Sequence, residues 1–158
     1  MKIHSIYIDG YKNLKNMEIF MPEDYPVAAV IGNNGSGKSN ILEALTQIFT
    51  AVYNEKPVDF RYRICYSIYD DNFEISNLDD VQFLRNGKKV KKQDKRSSLP
   101  RGIFLYYCGE TDRLKKLALD CVDKAFENAL KNDGDVTTKY ISCVGLREFT
   151  AAVLENEK

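Results

Sequence analysis

Hydrophobic and polar positions change period along the chain, and each change marks an element. Apolar side chains at Ile3, Ile6 and Ile8, and at Met17, Ile19 and Met21, predict strands over residues 2–8 and 17–21. The intervening residues 9–16 are rich in turn formers, and Pro22 and Pro26 bracket a loop. Val27-Ala28-Ala29-Val30-Ile31 is an unbroken apolar run with β-branched members, the pattern of a buried parallel strand. The period then becomes helical. Ile41, Leu42, Leu45, Ile48, Phe49 and Val52 predict an amphipathic helix of about fifteen residues, ending near Asn54 ahead of Pro57.

Residues 60–92 return to short extended segments at 60–69, 73–78, 81–85 and 88–92. Asn86-Gly87 is placed as a two-residue hairpin turn, and the whole stretch is expected to form an antiparallel β lobe inserted after the first helix. Residues 93–99 are polar and are expected to form a mobile loop. Residues 103–107 read as a buried strand. A helix capped by Thr111 or Asp112 follows, with an apolar stripe from Leu114 to Leu130 and a stop at Gly134. Residues 136–144 read as extended and 146–154 as the start of another helix.

Composition narrows the class. With 158 residues, 44% of them hydrophobic, the chain is long enough for one domain with a real core. Lys+Arg and Asp+Glu balance at 23 each, so overall charge gives no reason to expect nucleic acid. Cys65, Cys108, Cys121 and Cys143 have no C-x-x-C spacing, and His4 is the single histidine. That pattern speaks against structural zinc and for free thiols in a reducing cytoplasm. No apolar run approaches a membrane span, and the N-terminus lacks the apolar block of a signal peptide.

The chemistry is concentrated in Gly32-Asn33-Asn34-Gly35-Ser36-Gly37-Lys38-Ser39, a complete G-x-x-x-x-G-K-[ST] phosphate-binding loop between an apolar run and a helix. Its glycines let the backbone wrap an anion, its N–H groups form a nest, and the following helix adds its positive end. Lys38 would reach the β- and γ-phosphates of ATP, and the Ser39 hydroxyl would ligate Mg²⁺.

Two stretches resemble a known family. Ile6-Tyr7-Ile8-Asp9-Gly10-Tyr11-Lys12-Asn13-Leu14 is similar to the opening of the SMC/RecF/OLD group of ABC-type ATPases, and residues 31–45, with Asn34 and Asn40, are similar to that group's phosphate loop and helix. The resemblance covers the first 50 residues specifically. It implies an α/β fold: a P-loop NTPase sheet with the β lobe inserted, as in the N-terminal portion of an ABC ATPase head. The chain would divide into residues 1–59 (strands, loop and first helix), 60–101 (β lobe) and 102–158 (a strand and an incomplete helical region). The resemblance also implies that Lys12 and Asn13 approach the nucleotide with Asn40, that Tyr11 stacks on adenine, and that a second head closes the site in an ATP-dependent homodimer. DNA is the substrate it implies, in repair, chromosome maintenance or phage defence. Tyr11 reads equally well as an ordinary packed turn aromatic.

In that family hydrolysis needs an apolar strand ending in Asp-Glu and a serine-glycine-rich signature. Neither string occurs in the sequence, so the catalytic residues stay unassigned, with Glu110 and Asp120 the nearest acids. The expectation is an N-terminal portion of a longer ATPase, inactive as the isolated chain. A regulatory nucleotide-binding subunit without turnover is the alternative, and a small-molecule P-loop kinase a more distant one. Residues 85–101 carry Lys or Arg at eight positions against Asp94. Lys88, Lys89, Lys91 and Lys92 are therefore candidate DNA contacts, weighed against a solvated hairpin tip. His4 reads as structural.

Overall fold

In a computed structural model of the protein, residues 1–25, 29–95 and 97–100 are described in full, and residues 102–107 and 140–145 as backbone strands. The chain forms two compact units: Met1–Leu45 with Pro57–Pro100, and Thr46–Lys56 with Arg101–Lys158.

The first unit is built on one six-stranded antiparallel sheet. Its strands are β1 (Lys2–Asp9), β2 (Met17–Phe20), β3 (Arg61–Ile68), β4 (Asp71–Ser76), β5 (Gln82–Arg85) and β6 (Lys88–Lys89), in the order β2-β1-β3-β4-β5-β6. The strands read from residues 60–92 thus continue the sheet that β1 and β2 begin, because β1 pairs directly with β3, Ile6 facing Ile64 and Ile8 facing Tyr62. One buried row crosses four strands through Ile6, Ile64, Ile75 and Phe83. Tyr66 stacks on Phe73 beside it at 5.2 Å. Each such side chain contributes about 1.5–3 kcal/mol by leaving water, so this face holds the unit together.

Ile3 and Ile6 are three residues apart, a spacing that a regular strand would send to opposite faces. A β-bulge resolves it: Ile3 pairs with Tyr66 but Ser5 with Cys65, so the extra residue on β1 restores the inward phase. The Asn86-Gly87 turn forms as read, with φ of 48° and 75° at its two residues. The Asn86 side chain closes it by accepting from the Asn72 N–H at 2.9 Å and donating to Asp71 at 2.8 Å.

The apolar run before the phosphate loop departs from expectation. Residues 29–31 belong to no strand, Val30 is 46% exposed and Ile31 is 91% exposed, while Val27 and Ala28 lie outside the described residues. A run of apolar residues becomes a strand only where a neighbour takes up its N–H and C=O groups. Among the described residues, the six-stranded sheet runs from β2 to β6 without them. Residues 93–99 also differ. The segment opens with a 3₁₀ turn at Lys92–Asp94 and ends with Ser98 and Leu99 buried, the Tyr66 hydroxyl donating to the Ser98 carbonyl at 3.0 Å. A backbone acceptor for a buried phenol anchors what polarity alone assigns to a mobile loop.

The second unit holds the parallel pairing. Strands β7 (Gly102–Tyr107) and β8 (Tyr140–Gly145) run parallel, Ile103 facing Ile141 and Leu105 facing Cys143. The helix read from Leu114 to Leu130 and the one read at 146–154 lie outside the described residues. Helix α1 (Lys38–Tyr53) begins in the first unit and ends in the second. Ile41, Ile48 and Phe49 are buried along it as the period predicts, but Leu42 is 40% exposed, and Glu43 and Ala44 are buried instead. Among the described residues, no helix is long and apolar enough to cross a membrane.

Candidate nucleotide-binding site

The phosphate loop owes its shape to two glycines. Gly35 and Gly37 have φ of 83° and 101°, a region that side-chain-bearing residues rarely enter. Between Asn33 and Ser36 the loop turns tightly, the Ser36 N–H donating to the Asn33 carbonyl at 3.2 Å. Helix α1 starts at Lys38, with the Ile41 N–H donating to the Gly37 carbonyl at 3.0 Å. No acidic residue stands in the first turn, so nothing there neutralises the helix's positive end.

Lys38 folds back over the loop. Its ammonium donates to the carbonyls of Gly32 at 2.6 Å and Asn33 at 2.7 Å. Gly32 through Ser36 and Ser39 are exposed to solvent.

A tight turn after β1 supports the loop from beneath. The Leu14 N–H donates to the Tyr11 carbonyl at 2.8 Å, and the Gly10 N–H to the Leu14 carbonyl at 3.0 Å. Lys12 stands in the turn at φ 51°. The turn offers the loop Leu14, which is 1% exposed, and the Asn13 amide. Asn13 donates to the Gly35 carbonyl at 3.2 Å and accepts from the Asn40 amide at 2.7 Å. Gly37 sits so close that a Cβ there would lie 2.9 Å from Leu14 Cδ2 and 3.0 Å from both polar atoms of the Asn13 amide.

The two residues expected to approach the nucleotide from this turn therefore have protein partners. Asn13 reaches the loop through Gly35 and Asn40. Lys12 donates to the Glu43 carboxylate at 2.5 Å, and its ammonium lies 5.4 Å from the centre of the Tyr11 ring. Tyr11 itself is buried, its ring 4.7 Å from that of Phe60, so it takes the packing role and is closed to an adenine. Glu43 escaped the sequence reading. The signal for it was a carboxylate inside the apolar string Ile41-Leu42-Glu43-Ala44-Leu45, which requires a partner if it faces inward.

The other candidates lie apart from the loop. Lys88, Lys89, Lys91 and Lys92 are all exposed at the β5–β6 end of the sheet. Lys88 faces Arg85 and Lys89 faces Leu84, so these two fall on opposite sides of the hairpin, while Lys91 and Lys92 lie beyond β6. Arg85 is bound to Asp71 at 2.5 Å. His4 lines a cavity of about 250 Å³ on the sheet with Cys65 and Glu74, remote in sequence from the phosphate loop. Among the described residues no set of three His, Cys, Asp or Glu side chains is arranged to hold a metal ion, and Cys65 is a free thiol. Glu110 and Asp120 lie outside the described residues.

Residues 1–144 match the profile of the family described as "AAA ATPase domain". The chain is also similar to the DNA replication and repair protein RecF of Rickettsia bellii (strain OSU 85-389), at 43% identity over 47 residues. The same identity and length hold for RecF of Rickettsia canadensis (strain McKiel) and Rickettsia rickettsii (strain Sheila Smith). Each match covers 30% of this chain and 12% of the relative.

Proposed function

The chain belongs to the AAA ATPase domain family, and from that premise we propose that it binds Mg-ATP through residues 32–39. The observation that carries this is the loop's geometry: two glycines at positive φ and a lysine anchored on the loop's own carbonyls. On binding, the Lys38 ammonium exchanges the Gly32 and Asn33 carbonyls for the β- and γ-phosphates, a charge-assisted contact stronger than the one it gives up. The Asn33, Asn34, Gly35, Ser36 and Gly37 backbone cradles the phosphates, and Ser39 ligates Mg²⁺. The test is thermal unfolding with and without Mg-ATP. A ligand at a hundred times its Kd stabilises the native state by about 2.7 kcal/mol, so a clear rise in Tm is expected. No rise at millimolar Mg-ATP sinks the proposal.

For the whole protein we infer an ABC-type, RecF-like ATPase. Residues 1–59 supply the phosphate loop, the antiparallel strands after α1 extend the β1–β2 sheet as its inserted lobe, and β7 and β8 begin the parallel part. Its work is on DNA in the cytoplasm, in repair, chromosome maintenance or phage defence, with ATP-dependent pairing of two heads. The similarity to RecF supports this reading. Turnover by this chain alone is expected to be very slow, since phosphoryl transfer to water needs a positioned metal, an oriented water and charge stabilisation beyond the phosphate loop. A nucleotide-binding regulatory subunit remains the second reading. Steady-state phosphate release against Lys38→Ala separates the two in the full-length protein.

A further inference from the structure

We propose that Glu43 is a positioning residue of the phosphate loop, acting through Lys12 without touching the nucleotide; this rests on the nucleotide-binding reading above. The Glu43 side chain is 10% exposed, and its carboxylate is bound to the Lys12 ammonium at 2.5 Å. A carboxylate taken out of water is tolerated only when paired, and breaking such a pair is far more costly than never having made it. Glu43 therefore holds Lys12 in place. It does so although Lys12 stands at φ 51°, a conformation that costs a non-glycine residue energy and persists only where its surroundings impose it.

Lys12 is one peptide unit from Asn13. Fixing the first fixes the second, and Asn13 is the residue that grips the Gly35 carbonyl and the Asn40 amide and packs under Gly37. The chain of contacts runs from the second turn of α1, through the turn after β1, to the middle of the phosphate loop. It closes a ring, because α1 itself grows out of that loop. The family resemblance implies that Lys12 approaches the nucleotide; the geometry makes it the link between Glu43 and the loop.

The two roles separate in a double-mutant cycle. Kd for Mg-ATP would be measured by calorimetry for wild type, Glu43→Gln, Lys12→Met and the double variant. The positioning role predicts that each single change weakens binding by about tenfold, the equivalent of one charge-assisted hydrogen bond, and that the double variant is no worse than either. If Lys12→Met weakens binding while Glu43→Gln leaves it unchanged or tighter, Lys12 is a direct ligand and the proposal is overturned.

Two controls keep the result readable. Should Glu43→Gln unfold the protein, the exchanged pair Lys12→Glu/Glu43→Lys tests the same link. Recovery of folding with recovery of binding supports the proposal, and recovery of folding alone overturns it. Backbone ¹⁵N order parameters at Gly35, Ser36 and Gly37 in nucleotide-free protein give a readout independent of ATP. They should drop from the rigid range near ~0.85 toward ~0.6 in either single variant, and unchanged values overturn the proposal. A wild type that binds no ATP would refute the nucleotide reading, and the order parameters would still decide whether Glu43 positions the loop.

Discussion

The side-chain amide of Asn13 donates to the main-chain carbonyl of Gly35 at 3.2 Å, across 22 positions of sequence. That one bond ties the turn after β1 to the crest of the phosphate loop. Its oxygen end is equally committed, accepting from Asn40 at 2.7 Å. The loop's curvature is thus held by three polar side-chain and main-chain groups as well as by its glycines.

Replacing Asn13 separates support from repulsion. Asn13→Ala removes both bonds and should weaken Mg-ATP binding by up to about tenfold, since a neutral hydrogen bond contributes ~0.5–1.5 kcal/mol. Asn13→Asp keeps the acceptor for Asn40 but sets a carboxylate against the Gly35 carbonyl and beside bound phosphate. It should weaken binding more than Ala does. Calorimetric titration of the two variants checks the order, and equal affinities would show that Asn13 bears on the loop by packing alone.

The glycines differ in a way that stability can report. Gly35 has φ 83° with open space around the position of a Cβ, whereas Gly37 has φ 101° with Leu14 and Asn13 in contact range. Gly35→Ala should cost only the left-handed backbone term, roughly 1–2 kcal/mol. Gly37→Ala adds displacement of Leu14 and Asn13 and should cost more, with nucleotide binding lost. Denaturant midpoints of both variants provide the comparison, and a Gly37→Ala protein as stable as Gly35→Ala would mean that the turn is not packed against the loop as described.

Much of the sheet was legible because its signals are local. Apolar positions gave β1 and β2, short extended segments between turn formers gave β3 and β4, and Asn86-Gly87 gave its turn, since only residues tolerant of positive φ fit there. Strand neighbours were not legible. That β1 pairs with β3 depends on contacts across some sixty positions, which no local pattern encodes. The same limit explains residues 29–31, whose composition suits a strand but whose pairing decides the matter. At the site, the motif gave the loop residues directly. The partners of Lys12 and Asn13 were hidden because a lysine or an asparagine names its chemistry but not its direction.

Asp71 supplies a pH dependence. The Arg85 hydrogen bond, followed by that from Asn86, holds its carboxyl below the usual carboxylate range. A depressed folded pKa means stability that is present in full above the unfolded pKa of about 3.9 and fades as pH falls toward the lower folded value. The carboxylate is partly exposed at the sheet surface, so the effect is small and salt-sensitive. Melting curves of wild type and Asp71→Asn should differ near neutral pH and converge at the acid end. Curves that remain parallel throughout would remove Asp71 from the acid response.

The basic hairpin makes a separate claim. If Lys88, Lys89, Lys91 and Lys92 contact phosphates of DNA, binding will be sequence-independent and steeply salt-dependent. Replacing all four with Gln should then flatten the slope of log K against log salt by about 0.9 per lost contact. Lys88 and Lys89 lie on opposite sides of the hairpin, which argues for fewer than four contacts on one duplex. Fluorescence anisotropy across a salt series reads the slope, and absence of binding by the wild type at low salt leaves a solvated hairpin tip.

The proposed nucleotide site stands or falls with the loop at residues 32–39 binding the phosphates of ATP through Lys38 as its charged contact. Titration calorimetry of Mg-ATP into wild type and Lys38→Ala tests it most directly. The wild type should bind saturably and one-to-one, and the variant with an affinity lower by tenfold or more, since a hydrogen bond to a charged group is worth ~1.5–3 kcal/mol. Equal affinity in the two proteins would contradict it.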